Sequence, residues 1–460
     1  MIHKTTPNGL LAIFATILFL VAPMLSFSQS ATPKKTAISL VSDNGEATVI
    51  KFDAGAMGQK TVSTPAGEAL VITMDDGTPI LKKGFPDLPK LTASIIIPDE
   101  KNMQVTVTES SYTDFENVLV APSKGSFKRD VKPSDVPYEY GMAYQEDAFF
   151  PKDIAEMRDP YILRDFRGQT VIVYPFQYNA VTKTLRVYSE ITVTVSPKEK
   201  GEAINVLKRH VNSDKIATEF QNVYSSQFLN YGSDIRYDHM EEEGNMLIIS
   251  YGTFMDEMQP FVDWKRQRGM PVEMVDIATV GNTKTAIKSY VANYYNTNGL
   301  TFLLLVGDES QVKTSSTNAG DSDNDYGFIS GNDHYQEIFV GRFSAQTGTE
   351  VITQVNRIIA YEKTPVDDNY FSKGICMASN EGANIGDDGE ADYEHEDLIR
   401  EQLLGYTYTE VAELFDGTHG NVDAPGNPSD NMLRDLVNAG AGIIQYTGHG
   451  STTSLGTTGF

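Results

Sequence analysis

Three apolar segments of this chain run straight into side chains able to do acid–base chemistry. Thr301 to Val306 leads into Gly307-Asp308, Gly374 to Ala378 into Ser379-Asn380-Glu381-Gly382, and Gly442 to Tyr446 into Thr447-Gly448-His449-Gly450-Ser451. A histidine between two glycines has backbone room around it. His449 is therefore placed as a general base, with Glu381 from a neighbouring strand able to orient the ring. The same spacing also suits a turn histidine with no chemistry. His395-Glu396 opens like a zinc-protease helix, but Ile399 stands where the second histidine belongs, so that reading fails. No Gly-x-Ser-x-Gly elbow and no P-loop occurs. Cys376 is the single cysteine. It lies inside an apolar strand and reads as a small buried hydrophobe. One cysteine excludes an internal disulfide and a Cys-rich zinc site.

The elements that must carry these residues begin near residue 244. Asn245 to Tyr251 is a buried-type strand, and Met255 to Arg268 then repeats apolar residues at Met258, Phe261, Val262 and Trp264 before Gly269. Strands at Val272–Val275, Thr301–Val306, Ile338–Arg342, Gly374–Ala378 and Gly442–Tyr446 alternate with helices at Thr283–Tyr295, Glu350–Glu362 and Glu394–Leu404. This is an α/β layout with a mainly parallel sheet and helices on both faces, whose functional groups gather past the carboxyl ends of the strands.

Residues 36 to 198 carry a different pattern. Short alternating runs rich in β-branched residues recur, as in Ala47–Phe52, Ala69–Met74, Gln104–Thr108, Thr184–Tyr188 and Glu190–Val195, with turn signals at Asn44-Gly45 and Asp76-Gly77. The expectation is an all-β, sandwich-like domain. Residues 199 to 243, with basic clusters and Glu241-Glu242-Glu243, read as an exposed connector open to proteolysis. At the front, Lys4, the apolar stretch Gly9 to Leu25 and the small residues Ser26 and Ser28 read as an export signal cut between Ser28 and Gln29. No later segment offers about 18 consecutive apolar residues, so no membrane span is expected after the signal.

The chain has 460 residues and a formal net charge of −25 from 37 basic and 62 acidic side chains. That balance argues against nucleic acid and leaves cations and basic substrates as partners. The run Asp321-Ser322-Asp323-Asn324-Asp325 is similar to an EF-hand, but Tyr326 and Asn332 stand at its glycine and closing-glutamate positions, so it is rejected.

Thr447 to Ser451 after a Gly-Ile-Ile-x-Tyr strand resembles the catalytic-histidine segment of the gingipains, secreted cysteine peptidases with a caspase-like fold. Phe261–Gly269, Leu304–Asp308, Gly331–Glu337, Gly341–Ser344 and Asp388–Glu396 resemble family blocks in the same order, and Gly84–Pro89 resembles the family's inhibitory propeptide more loosely. The resemblance implies a signal peptide at 1–28, an all-β propeptide domain with connector at 29–236, and a caspase-like catalytic domain at 237–460. It implies His449 as general base and acid, Glu381 as its support, and Asp392 with Thr447 lining a pocket for a basic side chain, arginine ahead of lysine. The N–H of Gly450 is expected to stabilise the oxyanion. Arg236-Tyr237 matches the propeptide junction. Asp308, Asp333 and Glu337, with the carbonyls of Ser330 and Tyr335, resemble a structural calcium site that Glu390 and His395 complete or adjoin.

The family's nucleophilic cysteine comes after its histidine on the next strand, whereas this chain reaches Phe460 without one. The expectation is a chain cut within the catalytic domain and inactive by itself. The partners implied are protein substrates with basic residues and the chain's own propeptide as inhibitor, and the location is secreted or cell-surface. The rival is a non-catalytic, secretion-associated surface protein that keeps the peptidase fold.

Overall fold

A computed structural model of the chain describes residues 35–128, 131–199, 201–208, 215–232, 240–242, 244–317, 320–365, 369–385, 389–451 and 454–455. The expected signal at 1–28 lies outside them, as does the Arg236-Tyr237 junction.

The first part is β-rich. Its strands are β1 (Ala37–Asp43), β2 (Thr48–Asp53), β3 (Met57–Thr64), β4 (Gly67–Met74), β5 (Thr78–Pro79), β6 (Pro89–Ile96), β7 (Met103–Phe115), β8 (Ala155–Met157), β9 (Tyr161–Leu163), β10 (Phe166–Val173), β11 (Phe176–Asn179) and β12 (Thr184–Pro197). One antiparallel sheet runs β1-β2-β12-β11 with β7 also on β12, and a second runs β5-β6-β10-β8 with β9 on β10. Along β2 the side chains alternate between buried and half-buried, which is the period-two signature of a sheet with one face on a core. Gly45, with φ of 79°, makes the β1–β2 turn at the expected Asn44-Gly45. The runs Thr184–Tyr188 and Glu190–Val195 are not two strands but the single strand β12, with a register shift between Tyr188 and Glu190 against β7. A β-bulge takes up the extra residue and lets the strand continue.

The connector is more structured than its composition implies. β13 (Lys215–Ala217) and β14 (Met240–Glu242) form a short parallel pair, and α1 (Thr218–Gln227) buries Phe220 and Tyr224. These rings pack with Tyr161, Phe166 and Phe228 in one cluster.

The α/β part comprises β15 (Met246–Ser250), α2 (Met255–Gln267), β16 (Val272–Asp276), α3 (Ile277–Val280), α4 (Lys284–Asn298), β17 (Phe302–Val306), a hairpin of β18 (Ser315–Thr317) and β19 (Gly320–Ser322), β20 (Phe339–Phe343), α5 (Gly348–Lys363), β21 (Lys373–Ala378), α6 (Asp392–Tyr406), β22 (Glu410–Phe415), α7 (Asp430–Asn438) and β23 (Ile443–Thr447). All sheet pairing except the hairpin's is parallel, but the strands divide into two sheets, β16-β15-β17-β20 and β22-β21-β23.

In the first sheet, Ile248, Leu304 and Val306 face Met258, Phe261 and Val262 of α2 and Val351 and Val355 of α5. The alternate residues Leu247, Ile249, Leu303 and Leu305 face Ile287, Val291 and Tyr295 of α4. Both faces are covered, so the strands read as unbroken apolar runs. Helix starts are fixed locally: Thr283 accepts from Ala286 N, and Thr347 with Glu350 forms a capping box. Truncating Ile287, which is fully buried, to alanine costs about 2–5 kcal/mol.

The second sheet repeats the scheme, with Cys376, Ala378, Val411 and Phe415 against Ile399 and Leu403 of α6. Its other face sets Ile375, Met377 and Leu414 against Leu433 and Leu436 of α7. β23 is an outer strand of this sheet and exposes Ile444. Among the described residues no helix is long and apolar enough to cross a membrane.

Candidate active site

β21 and β23 lie side by side and parallel, so the residues after Ala378 and Thr447 emerge at the same end of the sheet. Ser379 N donates to Thr447 O at 3.1 Å, which extends the ladder one step beyond β21. His449 Nε2 then comes within 3.1 Å of Glu381 Oε2, the imidazole exposed and the carboxylate half-exposed. The pair has ion-pair spacing without the alignment of a hydrogen bond, a looseness common in sites without substrate. Tyr446 Oη donates to His449 O at 2.6 Å and restrains the turn. Gly450 comes next, in an exposed position.

Beneath this pair lies a buried polar layer contributed by α6. Asp392, at its first turn, is 1% exposed; its N–H donates to Glu381 O at 2.9 Å, and Ser379 Oγ donates to its Oδ2 at 2.5 Å. Glu381 N in turn donates to Ser379 Oγ at 3.1 Å. One serine thus links the candidate pocket carboxylate to the residue that meets His449. Thr447 Oγ1 donates to Glu396 Oε1 at 2.7 Å. Glu396 is fully buried, and burial pushes its carboxyl above the ordinary glutamate range while Thr447 and the Cys376 thiol partly offset the shift.

Cys376 itself is buried, and its thiol is pushed far up by burial and by the nearby Glu396 carboxyl. A thiol so disposed is not a nucleophile at neutral pH. Asp416, at the end of β22, is raised by burial and by the negative charge of Glu381. Glu413 on β22 is raised to about 6 by burial, although Arg400 Nε lies 3.0 Å from it.

Sequence reasoning passed over Ser379, Glu396 and Asp416. Glu396 carried a usable signal, since it stands four residues after Asp392 and so shares its helix face. Asp416 follows the end of β22, as Asp308 follows β17 and Glu381 follows β21. His419 is a loop histidine held by stacking on Tyr393 at 3.7 Å and by Asp416 O at 2.6 Å.

The seven residues expected around calcium fall in three hydrogen-bonded neighbourhoods. Asp308 accepts from Gln346 Nε2 at 2.8 Å and Ser344 Oγ at 3.2 Å. Glu390 Oε2 lies 3.1 Å from His395 Nδ1. Asp333, Tyr335, Ser330 and Glu337 share one loop, in which Glu337 Oε2 accepts from Ile329 N and Ser330 N at 2.7 and 2.9 Å. Glu337 is fully buried, is raised to about 7 by burial, and keeps Oε1 without a hydrogen-bond partner. Among the described residues no three His, Cys, Asp or Glu side chains group as metal ligands. The loop's donors are oxygens, the kind that calcium takes.

A cavity of about 760 Å³ is lined by Lys124, Gly125 and Phe127 of the β-rich part and by Ala383, Asn384 and Gly389 just beyond Glu381. Of the expected cut sites, Ser28, Gln29, Arg236 and Tyr237 all lie outside the described residues.

Two family models match the chain, Propeptide_C25 over residues 29–236 and Peptidase family C25 over residues 239–460. Gingipain R2 of Porphyromonas gingivalis is 38% identical over 445 residues, covering 95% of this chain and 59% of the relative. Gingipain R1 of the same organism is 39% identical over 429 residues, covering 92% and 42%, and Lys-gingipain is 26% identical over 416 residues, covering 85% and 23%. The chain therefore spans between 23% and 59% of the length of these curated relatives. Among solved structures, the Arg specific cysteine proteinase gingipain R aligns with a TM-score of 0.44 at 36% identity, over 47% of this chain and 49% of that one.

Proposed function

The chain belongs to peptidase family C25, the gingipain family, and carries that family's propeptide; from this we propose that it is the precursor sequence of a secreted cysteine endopeptidase that cleaves after basic residues, arginine ahead of lysine. The observation that carries the reading is the approach of His449 to Glu381, 3.1 Å apart at the carboxyl ends of adjacent parallel strands. In this role His449 takes the proton of an attacking thiol and returns it to the departing amine, and Glu381 orients the ring. The N–H of Gly450 is assigned to the developing oxyanion.

Cys376 is unsuited to supply the thiolate, because burial holds its thiol protonated. The nucleophile is accordingly assigned to a cysteine that the 460 residues do not include, and those residues by themselves are expected to be inactive. Asp392, buried and aligned by Ser379, is the charge that a substrate guanidinium would meet, with Thr447 beside it. The preference for arginine is supported by higher identity to the gingipains R than to Lys-gingipain.

The propeptide is proposed to act as an intramolecular inhibitor, a role supported by the cavity it shares with the loop after Glu381. Export by residues 1–28 and release of the propeptide at Arg236 are supported by the bounds of the propeptide match, 29 and 236. Calcium at the Ser330–Glu337 loop is proposed as a structural ion, on the strength of the buried, unpartnered Glu337 Oε1. Calorimetric titration of the chain with calcium should give heat that Glu337→Gln abolishes, and unchanged heat in that variant removes the site.

The reading is tested on the natural full-length protein with an arginyl amide substrate. His449→Ala should lower kcat by about 100-fold or more, and Asp392→Asn should erase the preference for arginine. Wild-type turnover in His449→Ala refutes the assignment. Turnover by the isolated 460-residue chain refutes only the placement of the nucleophile.

A further inference from the structure

β9 and β10 form a hairpin whose strands pair Leu163 with Phe166, leaving a two-residue tip of Arg164 and Asp165. Turns this tight favour glycine or asparagine because the backbone must adopt positive φ. Here the residue at φ of 48° is Arg164, a conformation held only where surrounding contacts fix it. The contacts are with the other half of the molecule. Arg164 is 8% exposed; its Nη1 donates to Leu300 O and, at 2.8 Å, to Glu337 O, and its Nη2 to Thr301 Oγ1 at 3.3 Å. Leu300 and Thr301 lead into β17, and Glu337 precedes β20, so one guanidinium caps carbonyls at the amino ends of two adjacent parallel strands. A planar fork can satisfy two carbonyls at once where an ammonium meets them as a point charge.

Aromatic faces complete the seat. The guanidinium carbon lies 4.8 Å from the Phe220 ring and 5.6 Å from that of Tyr295. Around it Ile162 N donates to Asp333 Oδ2 at 2.9 Å, Asn332 N to Asn205 Oδ1 at 2.8 Å, and the Tyr161 and Tyr335 rings stack at 3.9 Å. Residues 161–220 of these contacts belong to the propeptide match and 295–337 to the peptidase match.

We propose that the Arg164-Asp165 hairpin tip is the element by which the propeptide region docks on the α/β region, with Arg164 as its anchor, so that the two stay together after the chain between them is cut. The docking site lies at the amino ends of its strands, whereas His449 and Glu381 lie past carboxyl ends. Attachment through Arg164 therefore does not require anything to occupy the candidate active site. The proposal goes beyond the peptidase reading and needs no catalysis.

The test inserts the recognition sequence of a site-specific protease between Arg236 and Tyr237 of the whole chain, cuts it, and tracks association of the two pieces by size-exclusion chromatography over a dilution series. Wild-type pieces should co-elute at micromolar concentration. Arg164→Gly keeps a residue suited to the turn but removes the guanidinium, and it should weaken association on the order of 100-fold. Arg164→Lys, which leaves the charge but not the fork, should weaken it about tenfold and serves if the glycine variant fails to fold before cutting. Separation of the wild-type pieces, or association of both variants within threefold of wild type, overturns the proposal. Because the cut is made by an added protease, these outcomes are the same whether or not the protein is itself a peptidase.

Discussion

Replacing Thr447 by valine removes one hydroxyl beneath the candidate site and nothing else of its shape. That hydroxyl donates at 2.7 Å to Glu396, a carboxyl with no solvent exposure. Leaving a buried acceptor without its donor costs about 1–3 kcal/mol, toward the upper end when the acceptor is charged. The cost must depend on pH, with a definite sign. Burial holds the folded-state value of Glu396 above 4.5, so its contribution to stability is complete below the unfolded value and is lost as pH rises through the folded one. Thr447 counteracts that shift, so its removal extends the loss. The variant should open the second sheet about fivefold more often at pH 4, below the 4.5 that burial holds the carboxyl above, and about 30- to 150-fold more often at pH 8, figures equivalent to about 1 and 2–3 kcal/mol. Amide hydrogen exchange of β21 and β23, corrected for intrinsic rates, reads this opening directly. Equal acceleration at the two pH values, or less than twofold at pH 8, would refute the role given to the Thr447–Glu396 bond.

Two other perturbations have equally definite outcomes. Cys376 should resist iodoacetamide at pH 8 in the folded chain and react fully in concentrated urea, because both its burial and its raised thiol value vanish on unfolding; alkylation of the folded chain at the rate of a free thiol contradicts that. Glu362 accepts from Trp264 Nε1 at 2.8 Å, Lys265 Nζ at 2.6 Å and Arg268 Nη1 at 2.8 Å. Burial pushes its carboxyl up, but these donors outweigh it and hold the value below 4.5. The pairing then stabilises above the unfolded carboxyl value and is lost as pH falls through the lower folded one. Glu362→Gln should cost about 1–3 kcal/mol at pH 7 and progressively less below pH 4, with the single tryptophan reporting the urea transition; a pH-independent cost would count against it.

How much of the fold and site is legible in the sequence depends on whether the signal is local. The strand–helix alternation is, because strands covered on both faces are unbroken apolar runs and the helices repeat their apolar residues every three or four positions. So is the convergence of His449 and Glu381, since neighbouring parallel strands deliver the residues beyond them to one end of the sheet. β22 escapes notice because Glu413, which reads as a surface residue, is buried beside Arg400. α1 escapes it because its stability is tertiary: Phe220 and Tyr224 pack on Phe166, far away in the chain, as well as on Phe228. The division into two sheets is a matter of which strands pair across long separations, and composition does not encode that. The calcium set comes from the family resemblance and not from a local pattern, and Asp308 and the Glu390–His395 pair belong to other hydrogen-bonded neighbourhoods than Glu337 does.

β23 pairs through one side only among the described residues, and Ile444 on it is 46% exposed. Outer strands are where a sheet can add an extended peptide, including the same strand of a second molecule. Preparations of these 460 residues should therefore become turbid or self-associate as they are concentrated, and a short β-forming peptide that adds to that edge should keep them clear.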